Sequence, residues 1–390
     1  MSMIKPFKIE IQQTKLDEIK SRIAAYQWYP QPDIGGDWQF GMSTPILKDL
    51  QAYWLETYDW RAAEADLNRY PHYRAEIDGV DIHFVHVRGE ADGKRPLLIT
   101  HGWPGSFYEF WQAIGPLAYP SKHGGKAEDA FDLIIPSLPG YGFSGKPPSP
   151  IGPKTTATLW DKLMRDVLGY ETYLAQGGDW GSVVTSFLGL SHGAHDGKGG
   201  CRAIHLNMIG LSPNLTTPQS DEEAAWLKRN QAAAQAEGSY LLQQATKPQT
   251  LAMALMDSPM GTAAWILEKF HGWSDLVDDD LLATYTRDQL LTNAMIYLVN
   301  DAIATSVWFY AGFFIEGAGA LQPGQRCETP TWFADYPGEP VYFPGPRSWC
   351  DRIYNIEHWQ SMPRGGHFAA MEVPDLFVED VRAWGAKASS

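Results

Sequence analysis

Gly177-Gly-Asp-Trp-Gly181 carries the strongest chemical signal in this chain. Small residues bracket one reactive side chain, Asp179, in the pattern of a sharp strand-to-helix turn, where a larger flank would bury the nucleophile. Residues 170–176 ahead of it read as a strand, and residues 182–190 behind it as an apolar helix. The same pentapeptide also suits an ordinary glycine turn, so its setting matters more than its letters. A serine at that place would attack an acyl carbon. A carboxylate is better suited to displacement at a saturated carbon, leaving an ester whose carbonyl belongs to the protein. The candidate reactions are therefore opening of an epoxide or displacement of a halide.

Such a nucleophile needs a base, the base needs an orienting acid, and the oxyanion of ester cleavage needs donors. The expected chain order is nucleophile, acid, histidine. His367 stands in the glycine-rich turn Arg364-Gly-Gly-His-Phe-Ala-Ala370, after an expected strand and before a helical pattern from Pro374. Glu339, in Tyr336-Pro-Gly-Glu339, lies between it and the nucleophile, and Asp335 close by is the rival acid. Thr100-His-Gly-Trp-Pro-Gly-Ser106 follows a buried-strand pattern. Its glycines allow close backbone approach and its Trp-Pro bond can be cis. The backbone N–H groups of Trp103 and Trp180 are the candidate oxyanion donors.

The elements that must hold these residues follow from periodicity. Residues 1–75 read as a mainly helical extension, with apolar residues at helical spacing over 13–26 and 44–58 and a loop from Trp28 through Gly36. Residues 75–87 read as a hairpin turning at Asp78-Gly79. Residues 96–101 and 131–136 are short, continuously apolar runs that suit buried parallel strands. Helical patterns separate them, so 76–207 forms the first part of an α/β core, a mostly parallel sheet with helices on both faces. Residues 208–325 break the alternation as a helical lid, in which 220–237 is charged and 289–314 is one long apolar helical stretch. Strand patterns return at 339–343 and 355–362, so 326–390 completes the core. The tail from Lys387 is expected to fray.

Composition narrows the classes. The chain has 390 residues and a net charge of −15, from 31 basic and 46 acidic side chains, which argues against a nucleic-acid partner. Cys201, Cys327 and Cys350 are sparse and odd in number, giving neither a disulfide framework nor zinc spacing. The first ten residues are too polar for a signal peptide, and no run of about 18 apolar residues occurs. A cytoplasmic protein without a membrane partner is expected. Sixteen Trp and 18 Tyr leave some aromatics to line an apolar cavity.

Taken together, the motifs resemble the epoxide hydrolases of the α/β-hydrolase superfamily, and specifically the microsomal-type branch. The resemblance covers nearly the whole chain. It rests on Trp60-Arg-Ala-Ala-Glu-Ala-Asp-Leu-Asn68, His101-Gly-Trp-Pro-Gly-Ser106, Pro136-Ser-Leu-Pro-Gly-Tyr-Gly-Phe-Ser144, the Asp179 turn and Arg364-Gly-Gly-His-Phe-Ala-Ala370. It implies conversion of an apolar epoxide and water to a vicinal diol through an Asp179 ester, with no cofactor and no metal. It implies two lid tyrosines that protonate the epoxide oxygen. Tyr240, ahead of Gln244-Ala-Thr-Lys-Pro248, and Tyr310, ending Thr305-Ser-Val-Trp-Phe-Tyr310, match the family's positions. It favours Glu339 over Asp335 as the orienting acid. Trp103, Trp180 and Phe368 are expected to line the substrate site. Asp-Trp at the turn is shared with halide-displacing relatives, so haloalkane dehalogenation is the alternative activity. Oligomeric state stays open, a homodimer included.

Overall fold

The structure is a computed structural model that describes residues 3–29, 38–90, 95–195, 198–213 and 217–388. Nine strands form one sheet in the order β1-β2-β3-β5-β4-β6-β7-β8-β9. β1 (Lys5–Phe7), β2 (His72–Ile77) and β3 (Val80–Val87) run antiparallel to their neighbours. β4 (Pro96–Thr100), β5 (Asp132–Pro136), β6 (Thr172–Gly177), β7 (Gly200–Leu206), β8 (Cys327–Asp335) and β9 (Tyr354–Ser361) are mutually parallel. The central strands are apolar on both faces because helices cover both; all five residues of β5 are buried. β2 and β3 join through Asp78-Gly79, both with positive φ, as the hairpin pattern required.

The N-terminal helices α1 (Gln13–Ala24), α2 (Thr44–Glu56) and α3 (Trp60–Leu67) each bury one stripe of the kind read from the sequence. The first 75 residues are not wholly helical: Lys5–Phe7 adds an edge strand against β2. The loop expected from Trp28 to Gly36 falls mainly on residues 30–37, outside the described residues. α4 (Trp111–Ala118), α5 (Pro153–Lys162) and α6 (Asp179–His192) flank the sheet.

The lid follows β7: α7 (Asp221–Glu237), α8 (Ser239–Thr246), α9 (Pro248–Asp257), α10 (Pro259–Trp273), α11 (Leu281–Thr284), α12 (Arg287–Val299), α13 (Ile303–Ser306) and α14 (Trp308–Ile315). The long apolar stretch from 289 is therefore not one helix. The chain leaves the helical path at Asn300 and takes a positive φ of 52° at Asp301, and the two arms are bent by 87°. The bend lets α12 bury its apolar residues from Leu290 to Val299 and α14 bury Phe309 and Tyr310, while Phe314 and Ile315 stay exposed. No single described helix is long and apolar enough to cross a membrane.

Two further expectations are corrected after the lid. Residues 339–343 form a turn, not a strand. The strand lies earlier, at Cys327–Asp335, where Pro330 and four polar residues mask the pattern. α15 (Arg347–Cys350) and α16 (Ala369–Glu372) are single turns. α17 (Pro374–Ala388) continues through Lys387 and Ala388, so the expected fraying does not begin at Lys387, and residues 389–390 lie outside the described residues.

Candidate active site

Asp179 sits at the carboxyl end of β6 as the first residue of α6, with φ of +48°. That left-handed backbone is sterically costly for a residue with a Cβ. Its neighbours are glycine because the turn is crowded. A Cβ on Gly181 would lie 1.8 Å from the Thr100 carbonyl oxygen, and one on Gly177 2.1 Å from that of Gly181. The turn thus drives β6 and α6 so close that only the aspartate projects.

The backbone N–H of Trp103 donates to Asp179 Oδ1 at 2.7 Å. The other oxygen, Oδ2, lies 3.3 Å from His367 Nε2. His367 Nδ1 in turn lies 2.6 Å from Glu339 Oε2. Glu339 Oε1 accepts from the N–H groups of Val341 and Tyr342 at 3.0 and 2.9 Å. One carboxylate is thus fixed by backbone on one side and offered to the imidazole on the other. Burial alone would lower the His367 pKa, but the Glu339 and Asp179 carboxylates outweigh it and hold the ring well above its ordinary value. Asp335 does not reach this group. Its carboxylate accepts from Trp359 Nε1 at 3.3 Å and lines a surface cleft with Trp226.

Three elements aim the oxyanion loop. Trp103-Pro104 is cis. His101 Nδ1 donates to the Gly102 carbonyl at 3.0 Å while Nε2 accepts from Leu138 N–H at 3.1 Å. Both roles together require a neutral ring, and burial lowers the pKa of His101 to about 4. From the lid, Asn293 Nδ2 donates to the Pro104 carbonyl at 2.8 Å, Ser106 Oγ donates to Asn293 Oδ1 at 2.9 Å, and the Tyr297 hydroxyl donates to the Gly105 carbonyl at 2.5 Å. The second expected donor, Trp180 N–H, belongs to the first turn of α6. The first backbone bond there runs from Ser182 N–H to the Gly178 carbonyl at 3.0 Å, so the earlier N–H groups have no acceptor within the helix.

The two lid tyrosines meet over the nucleophile. Tyr240 from α8 and Tyr310 from α14 are 4% and 1% exposed, and their ring centroids are 5.8 Å apart. Trp103 stacks on Tyr240 at 5.3 Å, and Trp180 meets the Tyr310 ring edge-on at 4.7 Å. Burial, then the neighbouring Tyr310 and Tyr342 and the Asp179 charge, push the Tyr240 pKa well above its ordinary value; burial, then Asp179, do the same to Tyr310. Both are protonated donors at neutral pH. Tyr310 Oη is buried without a well-formed hydrogen bond, with only the Trp180 indole beside it. Phe368 stacks on Phe270 at 4.2 Å and lies 5.0 Å from His367, closing the histidine's side of the site.

The structure therefore brings together Asp179, Glu339, His367, Tyr240, Tyr310, Trp103, Trp180 and Phe368, and leaves out Asp335. Sequence reasoning missed Tyr342, whose hydroxyl lies 2.5 Å from that of Tyr240. It missed Glu372, whose carboxylate accepts from Gly366 N–H at 2.8 Å and Phe368 N–H at 2.7 Å, on either side of His367. It also missed Asn293. The one available signal was position: Tyr342 stands three residues after Glu339, and Glu372 in the first turn of a helix, where carboxylates meet free N–H groups. Among the described residues, no group of three or more His, Cys, Asp or Glu is placed to hold a metal ion.

Comparison with known proteins agrees with this geometry. Residues 4–110 match the family model described as epoxide hydrolase N terminus, and residues 95–291 match that of the alpha/beta hydrolase fold. A protein of Stigmatella aurantiaca is 43% identical over 97% of this chain and 84% of its own length. Epoxide hydrolase 1 of Sus scrofa is 35% identical over 97% of this chain and 88% of its own. The Aspergillus niger epoxide hydrolase superposes with a TM-score of 0.85 at 29% identity, covering 99% of this chain and 97% of that one. The juvenile hormone epoxide hydrolase of Bombyx mori gives 0.82 at 31% identity, over 100% and 95%. With the paired motifs along the chain, the triad at the carboxyl edge of the sheet and these likenesses in hand, the chain belongs to the epoxide hydrolases of the α/β-hydrolase fold.

Proposed function

We propose that this epoxide hydrolase works without a cofactor, through an alkyl ester on Asp179. The observation that carries the reading is the division of labour between the two Asp179 oxygens: Oδ1 rests on the Trp103 N–H, and Oδ2 faces the site beneath two protonated phenols. Oδ2 attacks a ring carbon. The carbon–oxygen bond breaks, and its electron pair goes to the epoxide oxygen, which Tyr240 and Tyr310 hydrogen-bond and to which one of them yields its proton.

Ester formation cancels the charge of Asp179. One of the two carboxylates that raise the His367 pKa is then gone, so the pKa falls, the ring gives its proton up to solvent and becomes a base when a base is needed. His367, oriented by Glu339, takes a proton from water. The hydroxide attacks the Asp179 carbonyl carbon, and the N–H groups of Trp103 and Trp180 stabilise the oxyanion. Collapse expels the diol oxygen, which takes the proton from His367. The second proton of the water, left on the Asp179 carboxyl group, returns to the ionised tyrosine, and His367, facing the Asp179 carboxylate again, regains its proton from solvent. The substrate is a small apolar epoxide, with Trp103, Trp180 and Phe368 as its contact surface.

The test is His367→Gln mixed with aryl and alkyl epoxides. Alkylation proceeds and hydrolysis stalls, so intact mass should show one epoxide-sized adduct on Asp179, with steady turnover down roughly 10³-fold or more. Normal turnover by this variant, or halide release from haloalkanes with no diol from any epoxide, would overturn the proposal.

A further inference from the structure

The two lid tyrosines are not equivalent. Tyr310 Oη makes no well-formed hydrogen bond and has only the Trp180 indole beside it, whereas Tyr240 Oη lies 2.5 Å from the hydroxyl of a third tyrosine, Tyr342. Tyr342 belongs to the turn after β8, not to the lid. Its backbone N–H donates to Glu339 Oε1 at 2.9 Å, so one residue touches both the orienting acid and a lid phenol. Its ring is half-buried, edge-on to Trp273 at 6.0 Å and 5.9 Å from the His367 ring. Beside the pair lie Lys269, 5.0 Å over the Tyr240 ring, and its ion-pair partners Glu268 at 2.8 Å and Glu237 at 3.2 Å.

We propose that Tyr342 is a positioning residue for ring opening, donating its hydroxyl proton to Tyr240 Oη so that Tyr240 rather than Tyr310 yields a proton to the epoxide oxygen. This rests on the ester mechanism above. With an epoxide oxygen in the site, the Tyr240 proton points at the substrate. The Tyr240 oxygen is then free to accept, and Tyr342 is the donor within reach. As the Tyr240 proton moves to the opening ring, negative charge grows on its oxygen. The bond from Tyr342 strengthens with that charge, so it stabilises the transition state more than the ground state. Tyr310 has only the Trp180 indole N–H beside its oxygen, outside hydrogen-bond geometry, so it contributes a hydrogen bond and keeps its proton.

Tyr342→Phe removes one hydroxyl and retains the ring and the backbone N–H to Glu339. Loss of a hydrogen bond to a charged oxygen should slow alkylation on the order of ten- to a hundred-fold in single-turnover measurements. Ester hydrolysis, which depends on Glu339 and His367, should stay within about twofold. The decisive comparison is a double-mutant cycle. Tyr342→Phe should cost nothing further in a Tyr240→Phe background and its full factor in a Tyr310→Phe background. A merely structural Tyr342 would slow both half-reactions and add its loss in either background. Unchanged alkylation in Tyr342→Phe, or equal losses in the two backgrounds, would overturn the assignment. If Tyr240→Phe and Tyr310→Phe themselves leave alkylation unchanged, or His367→Gln accumulates no ester, the fault lies in the underlying mechanism.

Discussion

At the residue scale, the site separates two carboxylates that look alike in the sequence. Asp335 and Glu339 are four residues apart, both near the end of β8. What distinguishes them is direction. Asp335 ends the strand and turns to the outer cleft and Trp359, whereas Glu339 is carried by the turn back to His367. Glu339→Gln removes the charge that outweighs burial at His367, so the ring loses both its orientation and the stabilisation of its charged form. Ester hydrolysis should fall roughly 10²- to 10⁴-fold, with alkylation little changed, because Asp179 attacks without a base. Asp335→Asn should leave both steps within about twofold. Single-turnover kinetics of the two variants decide the matter, and the reverse ranking would move the role to Asp335. The spacing alone left this choice open, since it carries no information on which way a turn sends a side chain.

At the element scale, the lid does more than cover the site; it grips the loop that activates the nucleophile. α12 supplies Asn293 and Tyr297, which take up the Pro104 and Gly105 carbonyls and the Ser106 hydroxyl. The core answers from the segment 137–144: the Tyr141 hydroxyl donates to the Ser306 carbonyl at 2.8 Å, and the Gly140 and Gly142 carbonyls accept from Thr305 and Asn300 at 2.5 and 2.8 Å. Asn293→Leu should leave two buried polar groups unpaired, a cost of roughly 1–3 kcal/mol in stability. It should also let the Trp103 N–H drift from Asp179, slowing both half-reactions by tenfold or more, because misplacement near an ångström has large effects on rate. Loss of stability with unchanged half-reactions would show that the oxyanion loop holds its own shape. These contacts were not legible in the sequence. The motifs around Trp103, Tyr141, Asp179 and His367 were, because each couples a strand end to glycines at short range. Asn293 sits inside an apolar helical pattern, and its partner lies 189 residues away. The same distinction explains the missed β8, whose polar residues and Pro330 obscure its period, and the false strand at 339–343, whose apolar residues serve a turn. The break at Asn300-Asp301 was missed because the apolar pattern runs on to either side of it.

At the scale of the whole molecule, the buried titratable groups predict how stability responds to acid. Burial lowers the pKa of five histidines, His271 among them; the four most enclosed are His72, His83 well below its ordinary value, and His86 and His101 at about 4. Their folded forms are neutral and bind fewer protons than the unfolded chain below pH of about 6.5. Their contribution is present above that pH and is lost as pH falls through it. His72 and His83 hydrogen-bond each other at 2.9 Å where the N-terminal segment meets β3, so charging either ring strikes the junction with Phe7. Two buried carboxyls act in the opposite sense. Burial raises Glu109 to about 8 and Glu372 to about 7. Each contributes stability that is full below the ordinary glutamate pKa and fades as pH rises through 7 to 8. His367, held charged, has the same sign as these two: its contribution is full below about 6.5 and is lost as pH rises through its elevated folded value. Between roughly pH 6.5 and 4.5 the four histidines are partly offset by the two carboxyls, while His367 is protonated in both states there and adds no slope. Below about 4.5 the unfolded carboxyls are protonated as well and the offset ends; His86 and His101 act down to about pH 4, and His83 to lower pH. They are joined there by Glu223, which Arg352 and neighbouring donors hold at about 2. The midpoint of urea unfolding should therefore decline gently from pH 6.5 to 4.5 and steeply below it, with the slope giving the proton uptake. A midpoint that stays level down to pH 4 would mean that the buried histidines are protonated in the folded protein, against the geometry that makes His101 both donor and acceptor.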